Sequence, residues 1–250
     1  MARKPLRILC FGDSLTSGYF SWGLGSHPYS LKLEDKLTGA FPNVDVQVVT
    51  DGLPGDVATF ERFYNRAKAQ FDGKSFDWTI ILAGTNDLAY GISPSKIYES
   101  LQNVWNLPLS KGGKVLALTV PECHSKAERL TRRRDELNLA IMTHQQKDYY
   151  FFDLESHIPF HTLSEADREK YWDDGLHLAE DGYDWMGDHI ANGLIRILRR
   201  EGTFEPVGVS SPSQRRPSKT ARDHKLYEEE SGNPRNLSEG YVVVRKKDLD

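Results

Sequence analysis

The stretch Leu6-Arg7-Ile8-Leu9-Cys10-Phe11-Gly12-Asp13-Ser14-Leu15-Thr16-Ser17-Gly18 joins an apolar run of strand length to a hydroxyl-rich turn bracketed by glycines. An apolar run as short as residues 7–11 reads as a strand buried on both faces, and such strands belong to parallel sheets covered by helices. Further along the chain, strand-length runs recur at residues 44–49, 78–83, 114–120 and 149–154. Amphipathic stretches separate them, at 29–41, 57–71, 94–105 and 128–145, the second opening on Asp56 as an N-cap. A last helix is expected over 180–199, where Trp185, Ile190, Leu194 and Ile197 make an apolar stripe and Arg196, Arg199 and Arg200 suit the C-terminal dipole. Five strand–helix units in alternation predict an α/β fold: a three-layer α/β/α sandwich around a mainly parallel five-stranded sheet.

The 250-residue chain is long enough for one domain with an appendage, expected as residues 1–200 and 201–250. Its net charge of −4 comes from mixed signs, with no basic stripe for nucleic acid and no polybasic membrane patch, so small-molecule chemistry is the expectation. Met1 to Lys4 carry charge, but the apolar run after Pro5 is too short for a secretory core, and nothing reaches the roughly 18 apolar residues of a membrane span. The chain therefore reads as soluble and cytoplasmic, with Cys10 and Cys123 as reduced structural thiols. After Arg200 the composition turns to Ser, Pro, Arg and Glu, which predicts a flexible tail with one short strand at 241–244. Arg215-Arg216-Pro217-Ser218 in that tail has the pattern of a basophilic kinase site or of a plain linker.

Four segments carry chemistry. In an open α/β sheet ligands sit at the C-terminal strand edge, so Ser14, just past the first strand, is placed either as a nucleophile or, with Asp13, as a helix cap. In Asp174-Gly175-Leu176-His177 a turn brings the two end residues within about 5–6 Å, close enough for Asp174 to accept from the imidazole Nδ1 and leave Nε2 free to take a proton from Ser14. A solvated loop and a carboxylate–histidine metal pair are the alternatives; a metal would need His157 or His161 as further ligands, and neither lies in a ligand motif. Ala83-Gly84-Thr85-Asn86-Asp87 ends the third strand, and Asn86 there offers a side-chain amide to an oxyanion or simply makes a turn. Asp51-Gly52-Leu53-Pro54-Gly55-Asp56 ends the second strand, where a glycine lets a backbone N–H approach a ligand. Each segment alone is ambiguous. Their common position at one sheet edge is what an assembled site requires and independent turns do not.

These four segments resemble the GDSL, or SGNH, esterases, a family named for Ser, Gly, Asn and His in separate motifs. Gly12-Asp13-Ser14-Leu15 matches the first motif, Gly55 of the Gly55-Asp56 pair the second, Gly84-Thr85-Asn86-Asp87 the third and Asp174-Gly175-Leu176-His177 the last. The resemblance implies a flavodoxin-like sandwich and an ester hydrolase with a Ser14, Asp174 and His177 triad. It also implies an oxyanion hole from the N–H groups of Ser14 and Gly55 and the Asn86 amide, with no metal or organic cofactor. Gly52 competes for the second motif, but the Gly-Asp pairing and the preceding Pro54 favour Gly55. The elbow Gly-x-Ser-x-Gly of the larger α/β-hydrolases is absent around Ser14. The partner expected is a small carboxylic ester, with thioesters as an extension. The rivals are an acyltransferase using the same acyl-enzyme, a flavodoxin-like flavin or phosphate binder, which Asp13 disfavours by repelling phosphate, and a non-catalytic scaffold.

Overall fold

The computed structural model describes residues 3–204, together with 226–227 and 244–245. The chain divides into a unit of Met1–Val207 and a second of Gly208–Asp250. Among its described residues the second unit holds a short antiparallel pair, Leu226–Tyr227 with Val244–Arg245. The expected strand at 241–244 thus lies outside the described residues except for Val244, and Ser218 lies outside them altogether.

In the first unit the main sheet has five strands: β1 (Lys4–Gly12), β2 (Val44–Gly52), β3 (Trp78–Leu82), β4 (Lys114–Leu118) and β5 (Tyr149–Phe152). Among the described residues nine α-helices accompany them: α1 (Ser14–Ser17), α2 (Tyr29–Ala40), α3 (Glu61–Gln70), α4 (Thr85–Ala89), α5 (Pro94–Ser110), α6 (Glu128–Thr143), α7 (Leu154–His157), α8 (Glu165–Tyr171) and α9 (Glu180–Arg200). Every pairing in the sheet is parallel, in the order β2-β1-β3-β4-β5. This is the doubly wound, flavodoxin-like order, in which the chain moves outward from β1 to β2, then crosses back to place β3 on the other side of β1. Side chains alternate along β1, so Leu6, Ile8 and Cys10 pack with α2 and α9 on one face while Leu9 and Phe11 pack with α3, α5 and α6 on the other. Two fully buried faces are why residues 7–11 read as a continuous apolar run with only Arg7 exposed.

Three expectations shift. The helix expected over 57–71 begins only at Glu61, with Phe60 at its cap, and the Asp56 carboxylate is engaged by Arg62 and Arg66 instead of capping it. α5 runs past residue 105 to Ser110 and carries Pro108 in its last turn, where Trp105 and Pro108 are both buried and packing outweighs the missing backbone donor. Residues 201–204 do not belong to a loose tail: Phe204 lies 5.7 Å from the Phe41 ring, and Glu201 accepts from Lys114 at 2.6 Å and from Tyr150. No helix among the described residues is long and apolar enough to cross a membrane.

Candidate active site

The strand order reverses between β1 and β3, and the crevice beyond their C-terminal ends is where doubly wound sheets take ligands. Ser14 follows β1 and Asn86 lies just beyond β3, so both flank that crevice. At the start of α1 the cap and the serine hydroxyl have separate partners. Asp13 is the N-cap of α1, its carboxylate accepting from Leu15 N–H at 3.0 Å, and the Ser14 hydroxyl is left for another partner. That partner is His177, whose Nε2 lies 2.9 Å from Ser14 Oγ. Gly12, in β1, is confined by close approach, since a Cβ there would lie 2.2 Å from the Leu82 carbonyl oxygen.

Asp174 and His177 come together through the turn their spacing suggested. Gly175 has φ +78°, a left-handed conformation natural to glycine. One Asp174 oxygen accepts the backbone N–H groups of Leu176 and His177 at 2.9 and 2.7 Å, and the other accepts His177 Nδ1 at 2.8 Å. Partial burial pushes the Asp174 carboxyl up, but these hydrogen bonds outweigh it and hold the group below its ordinary range. The turn is pinned from outside: Asp173 accepts from Ser21 N–H at 2.7 Å, His124 N–H donates to Gly175 at 2.7 Å, and the Tyr19 ring sits 4.7 Å from the imidazole. With Nδ1 donating to a carboxylate, Nε2 faces Ser14 as an acceptor.

The two glycines of the second segment have different tasks. Gly52 pairs with Gly12, and a Cβ on it would fall 2.1 Å from Ser17 N, so it lets β2 lie against α1. Gly55 has φ +75° with open space around its Cβ position, so its constraint is backbone conformation alone. Asn86 Nδ2 donates to the Asp56 carbonyl at 2.8 Å, which binds the end of β3 to the residue following Gly55 and leaves the second amide hydrogen unspent. Asp87 is fully buried and accepts from Ala58 and Thr59 N–H at 2.8 and 2.9 Å, fixing the same loop. Arg66 completes the tie, donating to Gly12 O at 2.6 Å, to Asp51 and to Asp56 Oδ2 at 3.1 Å.

Sequence reasoning missed Asp87 and Arg66; the only signal was that Asp87 directly follows Asn86. It also misjudged Asp13 as a charge facing a ligand. Asp13 is only 1% exposed, and desolvation by burial pushes its carboxyl up to about 7, with Asp87 and Asp56 adding to the push. His157 packs on Phe152 and His189, at 4.6 and 5.2 Å between ring centres, and His161 offers its backbone N–H to Glu122 at 2.9 Å. Among the described residues no three His, Cys, Asp or Glu side chains group as metal ligands. Cys10 and Cys123 are both free, and burial raises the Cys10 thiol to about 12.

Residues 10–185 match the family model of the GDSL-like lipase/acylhydrolases. An arylesterase of Vibrio mimicus is 24% identical over 198 residues, covering 77% of this chain and 90% of that protein. The lipase/acylhydrolase from Enterococcus faecalis superposes with a TM-score of 0.61 at 22% identity, over 80% of this chain and 98% of its own. A Clostridium thermocellum family 3 carbohydrate esterase does so with a TM-score of 0.60 at 19% identity, over 79% and 99%. The family match runs from the end of β1 into α9, and with it every segment that meets at the crevice: the chain belongs to the GDSL-like lipase/acylhydrolase family and is a carboxylic ester hydrolase.

Proposed function

We propose that Ser14 is the nucleophile of this hydrolase, His177 its general base and Asp174 the group that orients the base. The observation that carries the reading is the unbroken chain Asp174 Oδ2–Nδ1 His177 Nε2–Oγ Ser14, at 2.8 and 2.9 Å, built from segments more than 150 residues apart. Nε2 takes the Ser14 proton as Oγ attacks the acyl carbonyl, and the imidazolium formed is stabilised by the Asp174 carboxylate. Negative charge develops on the carbonyl oxygen, where the N–H groups of Ser14 and Gly55 and the free Asn86 amide hydrogen receive it. Among the described residues, neither of those two backbone N–H groups donates to a protein acceptor. The imidazolium then protonates the departing alkoxide, leaving an acyl-enzyme on Ser14. Water, deprotonated by His177, attacks that ester and frees the carboxylic acid and Ser14.

The substrates proposed are small esters of carboxylic acids, with activated thioesters accessible to the same steps. Treating the protein with a fluorophosphonate and mapping the adduct by mass spectrometry tests the assignment. A single adduct on Ser14, with loss of esterase activity, is expected. Labelling elsewhere, or no labelling of active protein, overturns it.

A further inference from the structure

A small cavity of about 70 Å³ opens beside Asn86, walled by Leu88, Val120, Pro121, Leu130 and Leu176, with Arg134 among its lining residues. Leu176 adjoins His177 and Asn86 is the proposed oxyanion donor, so the cavity borders the proposed reacting centre. Its frame is held firmly: buried Asn138 accepts from Val120 N–H at 2.8 Å and donates to Val120 O at 2.9 Å.

Arg134 is out of place in an apolar pocket. It is only 4% exposed, and its Nε donates to Glu155 at 2.6 Å. Among the described residues no acceptor takes the hydrogens of its two terminal nitrogens. Those nitrogens are not sealed from solvent, so water serves them in the free protein, and a chain that displaces this water must bring an acceptor of its own. Charge decides what that acceptor is. Glu155 pairs directly with Arg134, while Glu122, held by the N–H groups of Phe160 and His161 at 2.7 and 2.9 Å, lies within reach of the same positive charge. Two carboxylates already balance one guanidinium. A third anion gains little there, whereas a neutral oxygen loses nothing to their repulsion.

Resting on the reading of Ser14 as the nucleophile, we propose that Arg134 makes this an acyl pocket selective for short acyl chains bearing a neutral oxygen acceptor, such as an ether or carbonyl, a few bonds from the ester carbonyl. The volume, about that of two waters in the liquid, limits the tail to a few atoms. Hydrogen bonds from a charged donor discriminate strongly against an isostere that lacks the acceptor.

Two isosteric substrates test it, 4-nitrophenyl 3-methoxypropanoate and 4-nitrophenyl pentanoate, with each kcat/KM divided by the hydroxide-catalysed rate of the same ester. The wild type is expected to prefer the methoxy chain by about tenfold or more. Arg134→Lys keeps a cation against Glu155 but loses the fork, so its preference is expected to fall to near one. The ratio is measured within one preparation, which cancels any loss of folded protein. A wild-type ratio within twofold of one, or failure to hydrolyse either chain while 4-nitrophenyl acetate is turned over, overturns the pocket assignment. An undiminished ratio in Arg134→Lys does the same. Acetate hydrolysis that survives Ser14→Ala overturns the nucleophile instead, whatever the ratio.

Discussion

Replacing Asp174 by asparagine changes one atom, and the hydrogen-bond geometry says where the damage falls. The oxygen that accepts Leu176 and His177 N–H at 2.9 and 2.7 Å survives as the amide oxygen, so the turn is retained. The other oxygen, 2.8 Å from His177 Nδ1, becomes an NH2 group facing an N–H donor. The clash is relieved by moving the imidazole proton to Nε2, which then points a donor at Ser14 Oγ, 2.9 Å away, instead of an acceptor. Restoring the productive tautomer re-creates the donor–donor contact, and the imidazolium loses its counter-charge. Together these cost about 4–5 kcal/mol, or roughly 10³–10⁴ in kcat. The assay is kcat on 4-nitrophenyl acetate, with nitrogen NMR of His177 to read the tautomer and thermal unfolding to confirm a native turn. A kcat within tenfold of wild type in a variant carrying the Nε2–H tautomer refutes the reasoning.

The glycine pair separates packing from conformation. Gly52→Ala forces a Cβ to 2.1 Å from Ser17 N and is expected to lose about 1–3 kcal/mol in denaturant unfolding, whereas Gly55→Ala meets open space and is strained only by its positive φ, about 1–2 kcal/mol, with the larger fall in kcat. Equal losses of stability with no loss of turnover in Gly55→Ala would argue against the oxyanion role. Asp13 predicts a pH effect on stability. Because burial raises its carboxyl from 3.8 to about 7, the folded chain holds a proton that the unfolded chain has released between those values, so this group's contribution to stability falls as pH rises from about 4 to 7 and then levels. Asp13→Asn keeps an oxygen for the Leu15 cap and is expected to gain on the order of 2–4 kcal/mol over wild type at pH 8 but little at pH 4. Guanidinium unfolding at the two pH values checks it, and a difference independent of pH contradicts the assignment.

Much of the site is legible in the chain because each motif is local. Asp174 and His177 need only a three-residue spacing and Gly175 to meet, and Ser14 and Asn86 need only to follow strands that bury both faces. Gly52 and Gly55 could not be told apart from spacing, because what distinguishes them is a neighbour, Ser17 N, contributed by another segment. Asp13 looked like a charge facing a ligand for the same reason: its burial is set by elements remote in sequence. Arg66 and Arg134 carry no local mark, and Asp87 only its place after Asn86, since a charged residue in a helix reads as solvated until its partners are known.

By itself, then, the sequence determined the strand–helix alternation, the sheet edge at which the four motif segments gather and the candidate residues they carry there, because hydrophobic periodicity and turn chemistry are properties of short segments. Tertiary structure alone decided which side chains are buried and what they face. Burial made Asp13 a weak acid, tied Gly12, Asp51 and Asp56 to one guanidinium, and set Arg134 in the lining of a cavity. Those outcomes depend on desolvation and on contacts between distant segments, which no spacing encodes.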